Sequence, residues 1–531
     1  MKRAFHANCR RAALLASVSL AMLVSGCASP DPFTREELSA KAVADRLLMF
    51  KDQEPLTKPL TLAEAMARVL RDNLDQRSKM MEEALALGQV DLDHFDLLPK
   101  LTAGAGYLNR SDHATTTSKD SITLQPALAN PSYSMDRDRV VSDLTVSWNI
   151  LDFGVGWFSA RQSTDRSLIA AERRRKAVAT LMQNVRSSYW RAMAAQELDE
   201  RVTKALAEGE KALGDAERVE NEQLRNPVES LRFQKTLLEN LKQLEAIRQE
   251  LAMARAELAS LINVPPGSKF RLAKPGKADM AAPSWAMPVA DMEEAAFVNN
   301  PDLREQVYQG RIAVNETRKA ILRILPGITF SAGLEHDSNS FLVDKSWTEA
   351  SSRISWNLFN IVSAPWRIQA AETAEDVAEA KRLALRMAVL AQVHVSLNQF
   401  EGAIRQYGRA DRLWKIETRL ADATASRQEN DAQSVIERIS NQTSAIAADL
   451  KRFQAFAQAQ EALGRMQTTI GLDPLPSEVA SHDLQTLSTL LEARMDAMNQ
   501  GRMPPEIVPV KHEDGAIPVS QTEPVAKETH G

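Results

Sequence analysis

Few residues in this 531-residue sequence have the spacing that a catalytic or metal-binding site requires. The eight histidines lack the short intervals of metal ligands, and paired acids occur only within helix-like charge patterns. The sequence also lacks a G-x-S-x-G nucleophile motif, a Walker motif and a G-x-G-x-x-G motif. We therefore expect no catalytic residue, no metal, no cofactor and no enzymatic activity.

Cys27 is the residue whose chemistry the sequence specifies best. It follows a basic end, an apolar stretch over 12–24 that is too short to span a membrane, and the small pair SG. This run resembles a bacterial lipoprotein signal, so we expect residues 1–26 to be removed and lipid to be attached to Cys27. Ala28, in place of the Asp that marks inner-membrane retention, indicates the outer membrane. An ordinary secretory signal with a chance cysteine is the alternative.

The composition favours extended helices and argues against nucleic acid as a partner. Aromatic residues make up only 5% of the chain, and Ala, Leu, Glu, Gln and Arg are abundant. The 65 basic and 70 acidic residues leave a net charge of −5, and no basic stripe interleaved with aromatics is present. A long helical protein without nucleic acid is the expected class.

After the signal, no stretch reaches the roughly 18 uninterrupted apolar residues of a spanning helix. If the mature chain crosses a membrane, it must therefore do so with the strands of a closed barrel, because only helices and closed barrels satisfy every backbone group in lipid.

The chain contains an internal duplication of helix, strand, loop, strand and long helical hairpin. Pro99 pairs with Pro326, "SWNILD" with "SWNLFN", and "RNPVES" with "ENDAQS". The predicted divisions are a signal peptide (1–26), a lipidated segment and linker (27–59), repeat one (60–265), an inter-repeat linker (266–289), repeat two (290–475) and a mostly disordered C-terminal segment (476–531).

The predicted strands alternate apolar and polar residues over lengths close to the ~9–11 residues that cross a bilayer when tilted. A half-buried sheet of a soluble domain would show the same alternation, but the flanking helices are too polar to cover it. Four strands cannot close a barrel, so this interpretation requires an oligomer. The predicted lipid-facing residues are Leu144, Val146, Trp148, Ile328, Phe330, Leu334, Ile354, Trp356 and Leu358.

The predicted helices are far longer than those of globular domains. A pattern of about 65 residues measures ~97 Å at 1.5 Å per residue, which suggests lateral, coiled-coil-like packing. The basic run RRRK at Arg173–Lys176 is interpreted as a solvated face without a site.

These features together resemble the TolC-like outer-membrane factors, as a lipoprotein member. The resemblance covers about residues 60–475 and is carried by "LTLAEAMARVLRDN" and its partner "MEEAAFVNNPDL", the "LP" before each first strand, and "SWNILDFG" with "SWNLFN". It implies a mixed α and β membrane protein: a homotrimer with a twelve-stranded transmembrane β-barrel, four strands per chain, continued by a long α-helical coiled-coil barrel.

The resemblance also implies a constriction at the periplasmic tips of the helices. Matching "QSVIER" to the family's tip puts Glu437 and Ser434 at its two ring positions, with Glu429 and Asp431 nearby. Repeated carboxylates in a narrow pore concentrate cations. A solvated turn without a gating role is the alternative.

The predicted function is a trimeric outer-membrane channel of a tripartite export system. Its partners would be outer-membrane lipid, a periplasmic adaptor and an inner-membrane pump of the antiporter or ABC type, passing efflux substrates to the outside. One alternative is the outer-membrane component of type I protein secretion. A second is a lipid-anchored periplasmic coiled-coil scaffold without a pore.

Overall fold

The computed structural model describes residues 32–51, 53–117, 119–125, 132–222, 226–276, 280–425, 432–475, 483–499 and 502. Contacts divide the chain into two compact units, 1–55 and 56–531. In the described part of the first unit, helix α1 spans Arg35–Met49. A capping box starts it, in which Thr34 and Glu37 each accept the other's backbone N–H through their side chains.

The second unit alternates helices with short antiparallel strands. In chain order its elements are α2 (Leu62–Asp72), α3 (Leu74–Phe95), β1 (Lys100–Asn109), β2 (Ala114–Thr116), β3 (Ser132–Met135), β4 (Asp138–Asn149), α4 (Ile150–Asn221), α5 (Pro227–Leu261), α6 (Val289–Asn299), α7 (Pro301–Leu322), β5 (Gly327–Asp337), β6 (Ser346–Ser355), α8 (Leu358–Ala425), α9 (Ala432–Thr469) and α10 (Leu484–Asn499).

The element order confirms the predicted duplication. Helices α2 and α6 both have 11 residues, α3 and α7 both have 22, and the long helices α4 and α8 have 72 and 68. Each repeat continues from its second main strand directly into its long helix. The predicted fold class is therefore confirmed, with four principal strands supplied by one chain. The predicted domain boundaries remain predictions.

Each repeat has a helix break that the sequence pattern did not predict. The pattern over 62–97 predicted one helix, but Asn73 and its equivalent Asn300 leave the helical conformation with ψ of 128° and 124°. The side-chain oxygen of each asparagine accepts hydrogen bonds from backbone N–H groups at the start of the next helix. The amide nitrogen of each donates to the end of a hairpin helix: Asn73 to the Leu261 carbonyl at 3.1 Å and Asn300 to the Thr469 carbonyl at 2.9 Å. The same side chain thus caps one helix and holds another.

The four principal strands form one antiparallel sheet in the order β1-β4-β5-β6. The two repeats meet in its centre, where Leu144 pairs with Leu334. Strand β6 starts and ends earlier than predicted, at Ser346–Ser355, because α8 begins at Leu358. The loop between β1 and β4 contains the small hairpin of β2 and β3, in a stretch that the sequence indicated only as polar.

The larger hydrophobic core lies along the middle of α4. Met193, Leu198 and Leu244 are fully buried there, and Trp190 contacts the ring of Phe456 edge to face at 4.6 Å between centroids. Helix α4 packs against α3, α5, α7 and α9. It is therefore the central helix of this unit.

Among the described residues, no helix has the length and apolar character needed to cross a membrane.

Candidate functional site

One face of the four-stranded sheet carries an exposed apolar surface. Direct cross-strand pairing places Leu144 beside Leu334, Val146 beside Ala332, Trp148 beside Phe330, and Ile328 beside Ile354. Exposure runs from 40% at Trp148 to 71% at Ile354, and Ile328 is half-buried. Seven of the nine predicted lipid-facing residues thus lie together on one face of the strands. A contiguous apolar surface of this kind requires a covering medium or partner.

The other two predicted residues, Trp356 and Leu358, do not lie on a strand. Trp356 follows the end of β6, and Leu358 is the first residue of α8. Trp356 donates its indole N–H to the Ile324 carbonyl at 2.9 Å, which ties the strand exit to the end of α7. The prediction extended the strand too far because alternation continues in the sequence beyond the point where Asn357 turns the chain into the helix. The Asn357 side chain accepts the Phe359 backbone N–H at 3.1 Å.

The opposite face of the sheet is polar and acidic. Asp143 lies directly across from Glu335, and the hydroxyls of Ser331 and Ser351 are 2.7 Å apart. Gly104 lies opposite Asp143, and a Cβ at this glycine would approach the Asp143 carboxylate to 2.2 Å. Like charges directly opposite each other destabilise a sheet unless water solvates them. This face is therefore suited to water and to cations.

The basic run in α4 is only partly the solvated face that the sequence suggested, because Arg173 and Lys176 are exposed but Arg174 and Arg175 are half-buried. All four side chains pair with an acid outside α4, so we call Arg173–Lys176 the arginine clamp. The outer three members pair with Glu305 of α7 (Arg173, 2.7 Å), Glu83 of α3 (Arg174, 2.5 Å) and Asp302 of α7 (Lys176, 2.8 Å). The clamp thus joins the long helix to both shorter helices that lead to the strands.

Arg175 makes the most contacts of the four. Its guanidinium pairs with Glu172 at 2.7 Å and Asp473 at 3.0 Å, and it donates to the carbonyls of Asn299 and Gly471 at 2.7 and 3.1 Å. Gly471 has φ of +74°, and a Cβ there would lie 2.3 Å from the Asn299 backbone, so glycine is required. One guanidinium therefore connects α4 with the ends of α6 and α9.

Burial is the largest influence on the pKa values of the two acids that pair with Arg175. It raises the pKa of Glu172, while the charges of Arg175 and Arg304 act in the opposite direction. Burial likewise raises the pKa of Asp473, against the effect of Arg175. The guanidinium charges thus favour the charged form of both carboxylates, while burial disfavours it.

The predicted tip residues are only partly within the described structure. Glu437 is exposed on the second turn of α9, while Val435 and Ile439, two residues to either side, pack against the cluster of Ala212, Ala216 and Leu237. The exposed carboxylate therefore points away from the helix contacts. Ser434 lies in the first turn of α9, and Glu429 and Asp431 lie outside the described residues.

The family comparison agrees with this geometry. Residues 66–264, fewer than half of the chain, match the family described as outer membrane efflux protein. Among solved structures, the chain is similar to the CmeC outer membrane channel of Campylobacter jejuni (TM-score 0.60, 12% identity, covering 85% of this chain and 94% of that one). It is also similar to the open state of the MtrE outer membrane channel of Neisseria gonorrhoeae (TM-score 0.55, 16% identity, 77% and 90%). The predicted TolC-like resemblance is confirmed.

A third similar structure is the outer membrane protein VceC of Vibrio cholerae (TM-score 0.54, 13% identity, covering 77% of this chain and 96% of that one). A comparison with curated proteins found no match. At these identities the structures establish the TolC-like fold. The model that matches residues 66–264 describes outer membrane efflux proteins, which is the predicted functional class.

Two features of this TolC-like chain escaped sequence reasoning. The arginine clamp was visible as a run, but four of its acidic partners lie outside α4, and two of these, Glu83 and Asp473, are about 90 and 300 residues away in the sequence. The paired asparagines Asn73 and Asn300 were detectable, since both lie in the duplicated segments "RDNLD" and "NNPDL". Cys27, the predicted lipidation site, lies outside the described residues and remains a prediction.

Proposed function

We propose that three copies of this chain form an outer-membrane export channel, in which the sheets line one water-filled barrel and the long helices continue it through the periplasm. The observation that carries the proposal is an apolar stripe on α8 that no other described part of the chain covers. The apolar sheet face supports the same arrangement.

The stripe consists of large apolar side chains along one side of α8. At 3.6 residues per turn they fall within about 120° of the helix circumference, while the buried Val389, Val393 and Phe400 lie on a different side. Exposure reaches 66% at Met387. The members of this α8 stripe are Val377, Leu383, Met387, Val395, Leu413, Ile416 and Leu420.

The sheet offers two unpaired edges for a neighbouring copy. Strands β1 and β6 each pair on one side only within the sheet, so each presents a row of backbone N–H and C=O groups. In lipid these groups must be satisfied by other strands. Pairing β6 of one copy with β1 of the next would extend the sheet, with its apolar face toward lipid and its acidic face toward water.

The partners follow from the proposed channel. A passive duct needs an inner-membrane pump, antiporter-type or ABC, and a periplasmic adaptor that joins it to the helix tips. Lipid on Cys27 would add an anchor in the outer membrane. A secretion duct would use the same chain with a different pump, so the genes that lie beside this one distinguish it from efflux. A scaffold without a pore would leave the apolar face around Leu144 and Leu334 uncovered.

Reconstitution of the full-length protein in planar bilayers tests the proposal. We expect discrete conductance steps, together with the mass of a trimer by light scattering in detergent. A monomeric mass combined with silent bilayers would favour the scaffold. A boiled sample provides the control, because leakage that survives unfolding does not come from the channel.

A further inference from the structure

Arg186 is a buried guanidinium in the middle of α4. It is 5% exposed, and among the described residues it makes one hydrogen bond, to the side-chain oxygen of Gln467 on α9 at 3.3 Å. Within the described part of the chain, Arg186 forms no ion pair with a carboxylate. Other arginine contacts of this unit, such as those of the buried Arg68 with Glu64 and of the half-buried Arg175 with Glu172, include an acid. Arg186 therefore differs from them in lacking a visible counter-charge.

Gln467 presents a second unused donor beside Arg186. Gln467 is 3% exposed, and its buried amide nitrogen has no hydrogen-bond partner in the part of the chain that the structure describes. Its oxygen already accepts from Arg186, so the free amide N–H groups remain available on the same side chain. The Arg186 guanidinium and the Gln467 amide nitrogen, which can donate hydrogen bonds but not accept them, therefore lie together where α4 contacts α9.

A small cavity lies between these two side chains and a wall of apolar residues. Arg186 and Gln467 both line it, and it has a volume of about 20 Å³. On this measure a water-sized particle needs ~10–15 Å³. The cavity is lined by residues of α2, α4, α9 and α10, including Met66, Met182 and Met498. Its size fits one small particle and excludes a phosphate ester or a peptide.

The positive charge of Arg186 determines which kind of particle the cavity binds best. Burial lowers the pKa of Arg186 to about 10, so the side chain stays protonated at neutral pH. A buried charge without a partner is unfavourable, and buried charges are accordingly paired in folded proteins. Water would leave the positive charge uncompensated, whereas an anion would neutralise it and accept the free N–H of Gln467.

We infer that the cavity between Arg186 and Gln467 binds one small monovalent anion of the size of chloride, which bridges α4 and α9. The inference goes beyond the channel function, because it concerns a site inside one copy of the chain. The bound anion would stabilise the contact between the first long helix and the last helix of repeat two.

Bromide provides a direct test that does not depend on any variant. Crystals of the full-length protein are grown in sodium bromide at ~0.15 M and measured at the bromine absorption edge. We expect an anomalous peak within hydrogen-bond distance of the Arg186 guanidinium and the Gln467 amide. A refined water at this position with no anomalous signal would overturn the inference.

Thermal unfolding provides the second test, in solution. At constant ionic strength, replacing sodium gluconate by sodium chloride should raise the midpoint by about 2–4 °C and saturate with concentration, since binding to the folded state stabilises it. Arg186→Met should lose this chloride dependence. Arg201→Met serves as the matched control on the same helix, because its partner Asp449 keeps a second arginine, Arg452. The control should retain the dependence.

A competing source of charge lies outside the described residues. Segment 476–482 contains Glu478, which the test includes as Glu478→Gln. If the wild type shows no chloride dependence and Glu478→Gln lowers the midpoint as much as Arg186→Met does, the counter-charge is a carboxylate of the chain and the inference fails. An equal rise in chloride for wild type and Arg186→Met would also exclude the site.

Discussion

The long helices α4 and α8 occupy equivalent places in the two repeats but differ in how they are covered. In α4, 26 of 72 residues are buried, whereas in α8 only 6 of 68 are. Large apolar side chains are exposed in α4 only near its start, the last being Leu168, but they continue to Leu420 in α8. One duplicated helix has thus become the centre of the chain, and the other presents its apolar side outward.

The divergence is sharpest at one equivalent position. The capping residues Asn149 and Asn357 align the helices with an offset of 208 residues, which places Arg175 of the arginine clamp opposite Leu383 of the α8 stripe. Arg175 holds α4 to neighbouring helices within the chain. Leu383 is 53% exposed. The same place in the repeat therefore serves internal packing in one copy and, by our proposal, contact with another chain in the other.

Introducing charged residues into the α8 stripe should have the largest effect, on trimer assembly and on conductance. Leu383→Glu combined with Met387→Glu would place two carboxylates per chain in an apolar contact, repeated at each interface, and burying unpaired charges is highly unfavourable. We expect light scattering in detergent to show monomers and planar bilayers to show no conductance. Gln392→Glu, an exposed change on another side of α8, is the control and should leave the trimer intact. A conducting trimer from the double variant would contradict the assigned interface.

Removal of the clamp should have the next largest effect, on folding rather than on assembly. Arg175→Met leaves the buried Glu172 and the half-buried Asp473 with fewer cations, and breaking a buried pair such as that of Arg175 with Glu172 costs about 3–5 kcal/mol. The measurement is the free energy of unfolding in denaturant. Arg173→Met is the control, since Arg173 is 58% exposed and its pair with Glu305 is worth about 0–1 kcal/mol. Equal losses in the two variants would show that the clamp is not centred on Arg175.

The difference between Arg175 and Leu383 also shows what the sequence can predict. Local patterns predicted the strands, the duplication and the long helices, because alternation, proline and capping residues act within a few positions. The clamp was misread because its function depends on acids brought close by folding, such as Asp473. The end of β6 was misplaced because Trp356 and Leu358 continue the alternation past Asn357. Which apolar helix face remains uncovered was beyond the sequence, since both α4 and α8 are rich in apolar residues.

Replacing the paired asparagines should lower the free energy of unfolding by a smaller amount, which should be similar in the two repeats. Asn73→Ala and Asn300→Ala each remove a helix cap and a hydrogen bond to a hairpin helix, for about 0.5–2 kcal/mol. The free energy of unfolding measures both. Asn73→Asp keeps the cap acceptor but loses the donor to Leu261, so it separates the two contributions. A loss in only one repeat would show that the asymmetry of α4 and α8 extends to these junctions.

The smallest effect on stability, and a distinct effect on conduction, is expected at the tip. An offset of 204 residues pairs Glu437 of α9 with Phe233 of α5, which packs partly buried against Ala212 and Leu237. Repeat one thus uses this position for packing, and repeat two exposes a carboxylate that we propose faces the pore. Glu437→Gln should leave the free energy of unfolding within about 0.5 kcal/mol of wild type, as is usual for an exposed side chain.

The same variant should make the channel less selective for cations, because three carboxylates of a trimeric constriction would be neutralised together. The measurement is the reversal potential in a salt gradient across a planar bilayer, with block by multivalent cations as a second readout. Glu492→Gln, an exposed carboxylate of α10, is the control and should change neither. If Glu437→Gln also changes neither, the tip does not set selectivity, and the carboxylates Asp143 and Glu335 on the polar sheet face become the groups to neutralise next.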